Sequence, residues 1–343
     1  MDKVLEIGHF AAGFCGRLFA KNGAEVVRVN QNPLPSWVTS EAMDLYLHSD
    51  KKVVDCQDPD RIAELASKAD LLVFEGTSAN SVESWGIGQW EVPLKSIITP
   101  FGLTGPKKNW RSSSNVLLAM GGYTNCSGDP DRAPLSLPGH YVEFQAGQFA
   151  YIAANAARFS EESVTIDISM LECVMALSQF TTVQWSCADH IRSRHGNDFW
   201  WVVPTNMFRC KDGWVFINIT PNFWDACVAF LQLPELIIDS RFETNASRMV
   251  NRDELHRIIQ QAVANVDKED LRSRATECRI PLGVVMTFEE VLEDPHLLAR
   301  DFWQEPIDRK GLRMPDVPFR FDEIKRDPPS GMQMVDIDEV WNG

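Results

Sequence analysis

Apolar residues gather in short bursts separated by stretches with helical spacing. Val4 to Ile7 is a compact apolar strand, and the segment 11–22 then sets Phe14, Leu18 and Phe19 on one helical face. Gly23 stands where a left-handed helix cap is expected, and Glu25 to Val29 starts a second strand. The plan repeats with a strand at Lys52 to Asp55, a helix over Pro59 to Ser67 and a strand at Leu71 to Phe74. Ser96 to Thr99 adds another. Strands alternating with helices predict a parallel sheet joined by crossover helices.

From Pro100 to Gly139 the chain is rich in Gly, Pro, Ser and Asn, which predicts functional loops around one short helix, Val116 to Met120. Phe144 to Arg158 carries many small residues and predicts a helix packed closely on another element. Val164 to Ile168 reads as a strand, and Met170 opens a further helix. The pattern changes after Pro204. There, Phe208, Trp214, Phe216 and Ile217 flank Lys211-Asp212-Gly213, a hairpin signal, and helical spacing returns at 222–231, 253–264 and 268–278. The fold class is therefore α/β. A Rossmann-like large domain is expected over 1–195, a small α+β domain over 196–300 and a C-terminal segment over 301–343.

Composition narrows the function classes. A net charge of −15 disfavours a nucleic-acid or anionic-membrane surface, since both need clustered Lys and Arg. No long apolar run and no basic-then-apolar leader is present, so neither a membrane span nor a secretory signal is expected and the chain is read as cytoplasmic. The eight Cys residues form no C-x-x-C pair, which points to plain reduced thiols and to no metal site.

Eight segments carry a more specific message. In chain order they are VLEIGHFAAGFCGRLFAKNGAEVVRVN, ADLLVFEGTSANSVESWGIG, ITPFGLTGP, SGDPDRAP, VTIDISMLECVMAL, FRCKDGWVFINI, DSRFETNASRMVNRDEL and FEEVLEDPHLLARDFW. Together they resemble the family III CoA-transferases, which include formyl-CoA and carnitine CoA-transferases and the α-methylacyl-CoA racemases. The resemblance spans nearly the whole chain. It implies a large domain made from both chain ends, with 301–343 returning to it, and a small domain between. It also implies an interlocked dimer, either a homodimer or a heterodimer with a paralogue, and CoA or an acyl-CoA as substrate with a carboxylic acid as partner.

Transferases of that family attack the thioester with an Asp in a pattern like Ala-Asp-Tyr-x-Ala-Gly, forming an anhydride and then an enzyme–CoA thioester. The similar stretch here is Val142-Glu143-Phe144-Gln145-Ala146-Gly147, so Glu143 takes the nucleophile position. Its stem is one methylene longer, a displacement of roughly 1 Å that costs about a hundredfold in rate unless the pocket is rebuilt around it. Glu143 is either the nucleophile or an acid/base, or else a carboxylate that only favours a helix dipole. Racemases pair the acid with a His near 110–115, where this chain has Trp110-Arg111-Ser112-Ser113-Ser114-Asn115, so racemisation by that route is not expected. His140 is the other candidate imidazole, or else a surface residue.

For CoA, the resemblance points to Phe10 and Ala11 after the first strand, to Arg28 and Gln31 after the second, and to the pair Lys51 and Lys52. It points also to Glu75 and Gly76, which replace a Glu-Asn-Phe-x-Pro-Gly loop, and to Arg111 and Ser113 along the pantetheine path. The cations either pair with phosphates or are simply solvated. The family's Gly-rich loop is replaced by Gly196-Asn197-Asp198-Phe199-Trp200-Trp201, whose aromatic run reads as packing or as an apolar lid. Three functions stay open: transfer of CoA through Glu143, a repurposed lyase, dehydratase or acyl-transfer enzyme, and a non-catalytic pairing subunit.

Overall fold

The computed structural model describes residues 2–30, 40–199, 201–321 and 326–341. The chain divides into two compact units, 1–125 with 136–192 and 295–343, and 126–135 with 193–294.

The larger unit opens with β1 (Lys3–Ile7), α1 (Phe10–Lys21) and β2 (Glu25–Val29). Then come α2 (Glu41–His48), β3 (Lys52–Val54), α3 (Pro59–Ala66), β4 (Leu71–Glu75), α4 (Ala79–Ser84) and β5 (Leu94–Thr99). It continues through α5 (Ser114–Met120), α6 (Tyr141–Ala157), β6 (Val164–Ser169), α7 (Met170–Leu177) and α8 (Gln179–Ala188). Helix α1 ends as its sequence predicts: Gly23 has φ +90°, and the N–H groups of Gly23 and Ala24 donate to the carbonyls of Ala20 and Phe19.

The smaller unit holds the antiparallel sheet β7 (Thr205–Cys210), β8 (Gly213–Asn218) and β9 (Leu282–Val284). Helices α9 (Trp224–Leu231), α10 (Asn245–Val250), α11 (Arg252–Val263), α12 (Lys268–Cys278) and α13 (Phe288–Leu292) accompany it. Phe208, Val215, Ile217, Phe230, Leu255, Ile259 and Leu271 fill its own core. The turn segment 126–135, read in sequence as part of the large domain's loops, belongs to this unit. The Gly196 N–H donates to the Gly128 carbonyl at 2.9 Å, and the Arg194 guanidinium reaches the Asp129 carbonyl at 3.2 Å. Phe199 and Trp201 stay 38% and 60% exposed, so neither is a core residue of this chain, while Trp200 lies outside the described residues.

The last part of the chain, with α14 (Pro295–Ala299), β10 (Trp303–Gln304), β11 (Met314–Pro315) and β12 (Gln333–Met334), belongs to the larger unit. Strand β12 pairs with β3, so both chain ends feed one seven-stranded parallel sheet of order β12-β3-β2-β1-β4-β5-β6. Arg17 fastens this return: its fully buried guanidinium donates to the Tyr46 carbonyl at 2.6 Å and the Pro315 carbonyl at 2.8 Å.

Alternation along the central strands splits the core in two. Val4, Val26, Leu71 and Val73 meet α1, α6 and α7 on one face. Leu5, Ile7, Val27, Leu72 and Phe74 meet α3 and the C-terminal Ile337 on the other. Covering on both faces explains the nearly unbroken burial of β1 and β4, whereas the first four residues of β6 at the edge alternate between partly buried and exposed. Helices α1 and α6 touch backbone to backbone at Gly147, where a Cβ would come 2.5 Å from the Ala11 carbonyl oxygen.

Candidate active site at the carboxyl ends of the strands

The chain runs from β1 outward through β2 and β3, then crosses to the other side of β1 for β4, β5 and β6. Adjacent connections leaving β1 and β4 in opposite directions open a crevice beyond their carboxyl ends, the usual ligand position in an open parallel sheet. A cavity of about 300 Å³ lies there. His9 and Phe10 follow β1, Glu75, Gly76 and Thr77 end and follow β4, Pro100 follows β5, and Met170 follows β6. The wall is completed by Arg111 to Ser114 and Leu117 at the start of α5, and by His140 and Glu143 at the start of α6.

Two helix starts therefore aim at one space. Helix α6 begins at Tyr141 rather than at Phe144, so Glu143 sits inside its first turn, where an anion is favourably placed. The Ser114 hydroxyl donates to Glu143 Oε1 in a short hydrogen bond. Glu143 Oε2 is buried and has no hydrogen-bond partner among the described residues. His140 stacks on Phe10 with ring centroids 3.8 Å apart and 18° between planes.

Glu75 faces the same cavity from the end of β4. Its Oε2 accepts the N–H groups of His9 and Ala12, each at 3.0 Å. Helix α1 has no side-chain cap of its own, so a carboxylate from a neighbouring strand satisfies its free donors. Burial pushes the Glu75 carboxyl up to about 7, reinforced by the charge of Glu143 and opposed by the three backbone donors around it. Gly8 makes room: it has φ +149°, and a Cβ there would lie 2.5 Å from the Glu75 Cβ. Burial, with Arg28 nearby, lowers the pKa of His9.

Of the candidates read from sequence, Glu143, His140, Phe10, Glu75, Gly76, Arg111 and Ser113 all line this cavity. Ala11 is buried beneath it, its carbonyl against Gly147. Arg28 and Lys51 require a correction. Neither is free to take a phosphate, because both are buried around the fully buried Glu6: Arg28 NH1 to Glu6 Oε1 at 2.7 Å and Lys51 Nζ to Glu6 Oε2 at 2.5 Å. Lys51 also donates to the Gly13 carbonyl and meets His48 Nδ1 at 3.3 Å. Burial, with both cations nearby, holds the His48 pKa well below its ordinary value, so its ring is a neutral member of the cluster. A buried carboxylate is tolerable only when neutralised, and these cations do that. Lys52 pairs with Glu25 at 2.5 Å on the strand surface, and Gln31 lies outside the described residues.

Ser114 and His9 were not singled out from sequence. Ser114 belongs to a Ser triplet at a helix start, a pattern more often read as a cap than as a partner to a carboxylate 29 residues on. Arg111 is exposed at the cavity with no protein hydrogen bond or ion pair among the described residues. Also among the described residues, no helix is long and apolar enough to cross a membrane.

Comparison with known proteins agrees with this architecture. The chain is 31% identical to succinyl-CoA–D-citramalate CoA-transferase of Chloroflexus aurantiacus, over 87% of this chain and 81% of that enzyme. It is 26% identical to succinyl-CoA:mesaconate CoA-transferase of Haloarcula hispanica, over 97% and 92% respectively. In fold it is similar to a CAIB/BAIF family protein from Brucella suis, with a TM-score of 0.86 and 20% identity over 97% of this chain and 95% of that one. The pattern of CoA-transferase family III matches residues 2–333, and the chain belongs to that family.

Proposed function

We propose that this chain moves CoA between an acyl-CoA and a short dicarboxylic acid by way of Glu143. The observation that carries the reading is the Glu143 carboxylate itself, which lines the cavity with one oxygen engaged by Ser114 and the other buried and without a partner among the described residues. No protein donor among the described residues occupies the lone pairs of that oxygen, which leaves them for attack when a side-chain rotation turns it into the cavity. It bonds to the thioester carbonyl carbon, the C–S bond breaks with its electron pair on sulfur, and an acyl–glutamyl anhydride and CoA thiolate result. The thiolate then attacks the glutamyl carbonyl and releases the first acid, leaving CoA on Glu143. The acceptor carboxylate attacks that thioester, and the thiolate returns to take the acceptor's acyl group.

The dicarboxylic class is supported by two features. The relatives named above act on D-citramalate and mesaconate with succinyl-CoA, all of them dicarboxylic in their acid part. Arg111 offers a guanidinium fork at the cavity, suited to a second carboxylate. We further propose that the chain works as a dimer, as the exposed apolar side chains of α8 suggest: Phe180 and Val183 on one side and Trp185 on another are each more than half exposed.

Incubation with succinyl-CoA and hydroxylamine tests the route. Hydroxylamine attacks a glutamyl–CoA thioester, expels CoA and leaves a hydroxamate, which peptide mass spectrometry is expected to find on Glu143. Glu143→Gln is expected to lower CoA exchange by about a thousandfold or more. Modification elsewhere, or undiminished exchange by that variant, refutes the proposal.

A further inference from the structure

We propose that Glu75 is a second catalytic group of this cavity, whose protonated carboxyl donates a hydrogen bond to the thioester carbonyl oxygen while Glu143 attacks the carbonyl carbon. This rests on the reading of Glu143 as nucleophile and adds a role that the carboxylate exchange alone does not require.

The geometry points to it in three ways. Glu75 and Glu143 face one cavity from different elements, the end of a central strand and the first turn of a helix. The Glu75 carboxyl is held in orientation, since Oε2 takes the N–H groups of His9 and Ala12 and Gly8 leaves space for its stem. Beyond the two N–H groups on Oε2, the Ala11 N–H is the one further backbone donor beside the carboxyl among the described residues, so its second oxygen is left to a ligand in the cavity. Two carboxyls in one cavity are most stable when only one is charged. Glu143 has a hydroxyl donor and a helix start, which suit an anion. Burial lifts Glu75, which suits a proton donor at neutral pH.

In the step, an oxygen of Glu143 bonds to the carbonyl carbon and the carbonyl pair moves onto oxygen, where the Glu75 O–H stabilises it. The pair then returns, the C–S bond breaks and CoA departs as thiolate. Glu75 keeps its proton throughout, so atoms and charge balance without another reactant. A fixed donor aimed at developing charge is the arrangement that lowers barriers of acyl transfer.

Glu75 also caps α1, so truncation alone cannot separate support of the fold from chemistry. Glu75→Gln does separate them: its carbonyl accepts from His9 and Ala12, and its NH2 presents a permanent donor in place of the O–H. The measurement is kcat/KM against pH for exchange between succinyl-CoA and D-citramalate, using the full chain. Wild type is expected to lose activity as pH rises through about 7, because Glu75 then loses its proton. Glu75→Gln is expected to fall within about tenfold of wild type and to lack that alkaline limb, whereas Glu75→Ala falls about a hundredfold. An alkaline limb that persists unchanged in Glu75→Gln overturns the inference and leaves Glu75 as a cap alone. In that case a hydroxamate on Glu143 keeps the transferase route standing. Absence of both exchange and hydroxamate in wild type removes both proposals.

Discussion

Ser114 is the side chain that ties the two helix starts at the cavity together, through its hydroxyl on Glu143. A hydrogen bond to a charged group contributes about 1.5–3 kcal/mol, so Ser114→Ala is expected to lower kcat/KM by roughly ten- to a hundredfold. Steady-state exchange kinetics check this, and an unchanged value means that the carboxylate is oriented by other groups. Glu143 was singled out through the resemblance of Val142-Glu143-Phe144-Gln145-Ala146-Gly147 to the family's Ala-Asp-Tyr-x-Ala-Gly pattern, not through local spacing. Glu6, Arg28 and Lys51 were not legible in their true role. A Glu within the apolar strand β1 looks like an isolated polar residue. Its neutralising cations come from β2 and from the turn before β3, 22 and 45 residues away. Only their convergence in space turns two apparent phosphate ligands into partners of a buried acid.

At the scale of elements, the contact of α1 with α6 links packing to chemistry. Gly147 lets the helices approach, and their N-terminal turns then present His9, Phe10, His140 and Glu143 to one cavity. Gly147→Ala drives a methyl group against the Ala11 carbonyl, which belongs to backbone and cannot swing aside. Overpacking of that kind costs about 1–3 kcal/mol. Urea denaturation is expected to show the loss, with exchange activity reduced even where the variant is fully folded. A variant as stable and active as wild type means that the helices part without disturbing the site. Helices with strong periodicity or clear caps were readable within a few residues, as in α1, α11 and α12. No element was read over 41–48, although α2 forms there. It is short, and much of its anchoring comes from outside, through the buried Leu47 and the Arg17 bond to the Tyr46 carbonyl.

For the whole molecule, the exposed apolar side chains of α8 carry the proposal of a dimer. Light scattering on the purified protein is expected to give twice the chain mass, and Phe180→Asp with Trp185→Asp to reduce the assembly. A monomeric wild type would count against pairing with itself and leave pairing with another chain to be tested by mixing. Local pattern was sufficient to determine the α/β class and the parallel strands, since both depend on spacing along the backbone, while the order of motifs and Glu143 came from the family resemblance. Tertiary structure alone decided three further matters. It placed β4 beside β1, opening the crevice that gathers residues from 9 to 170. It set the returning C-terminal strand beside β3, where the family resemblance implied only a return to the large domain. It also put Glu75 and Glu143 in the wall of one cavity while burying Arg28 and Lys51. Burial and proximity set how readily a buried carboxyl ionises and which cation is free, and neither quantity is a property of sequence neighbours.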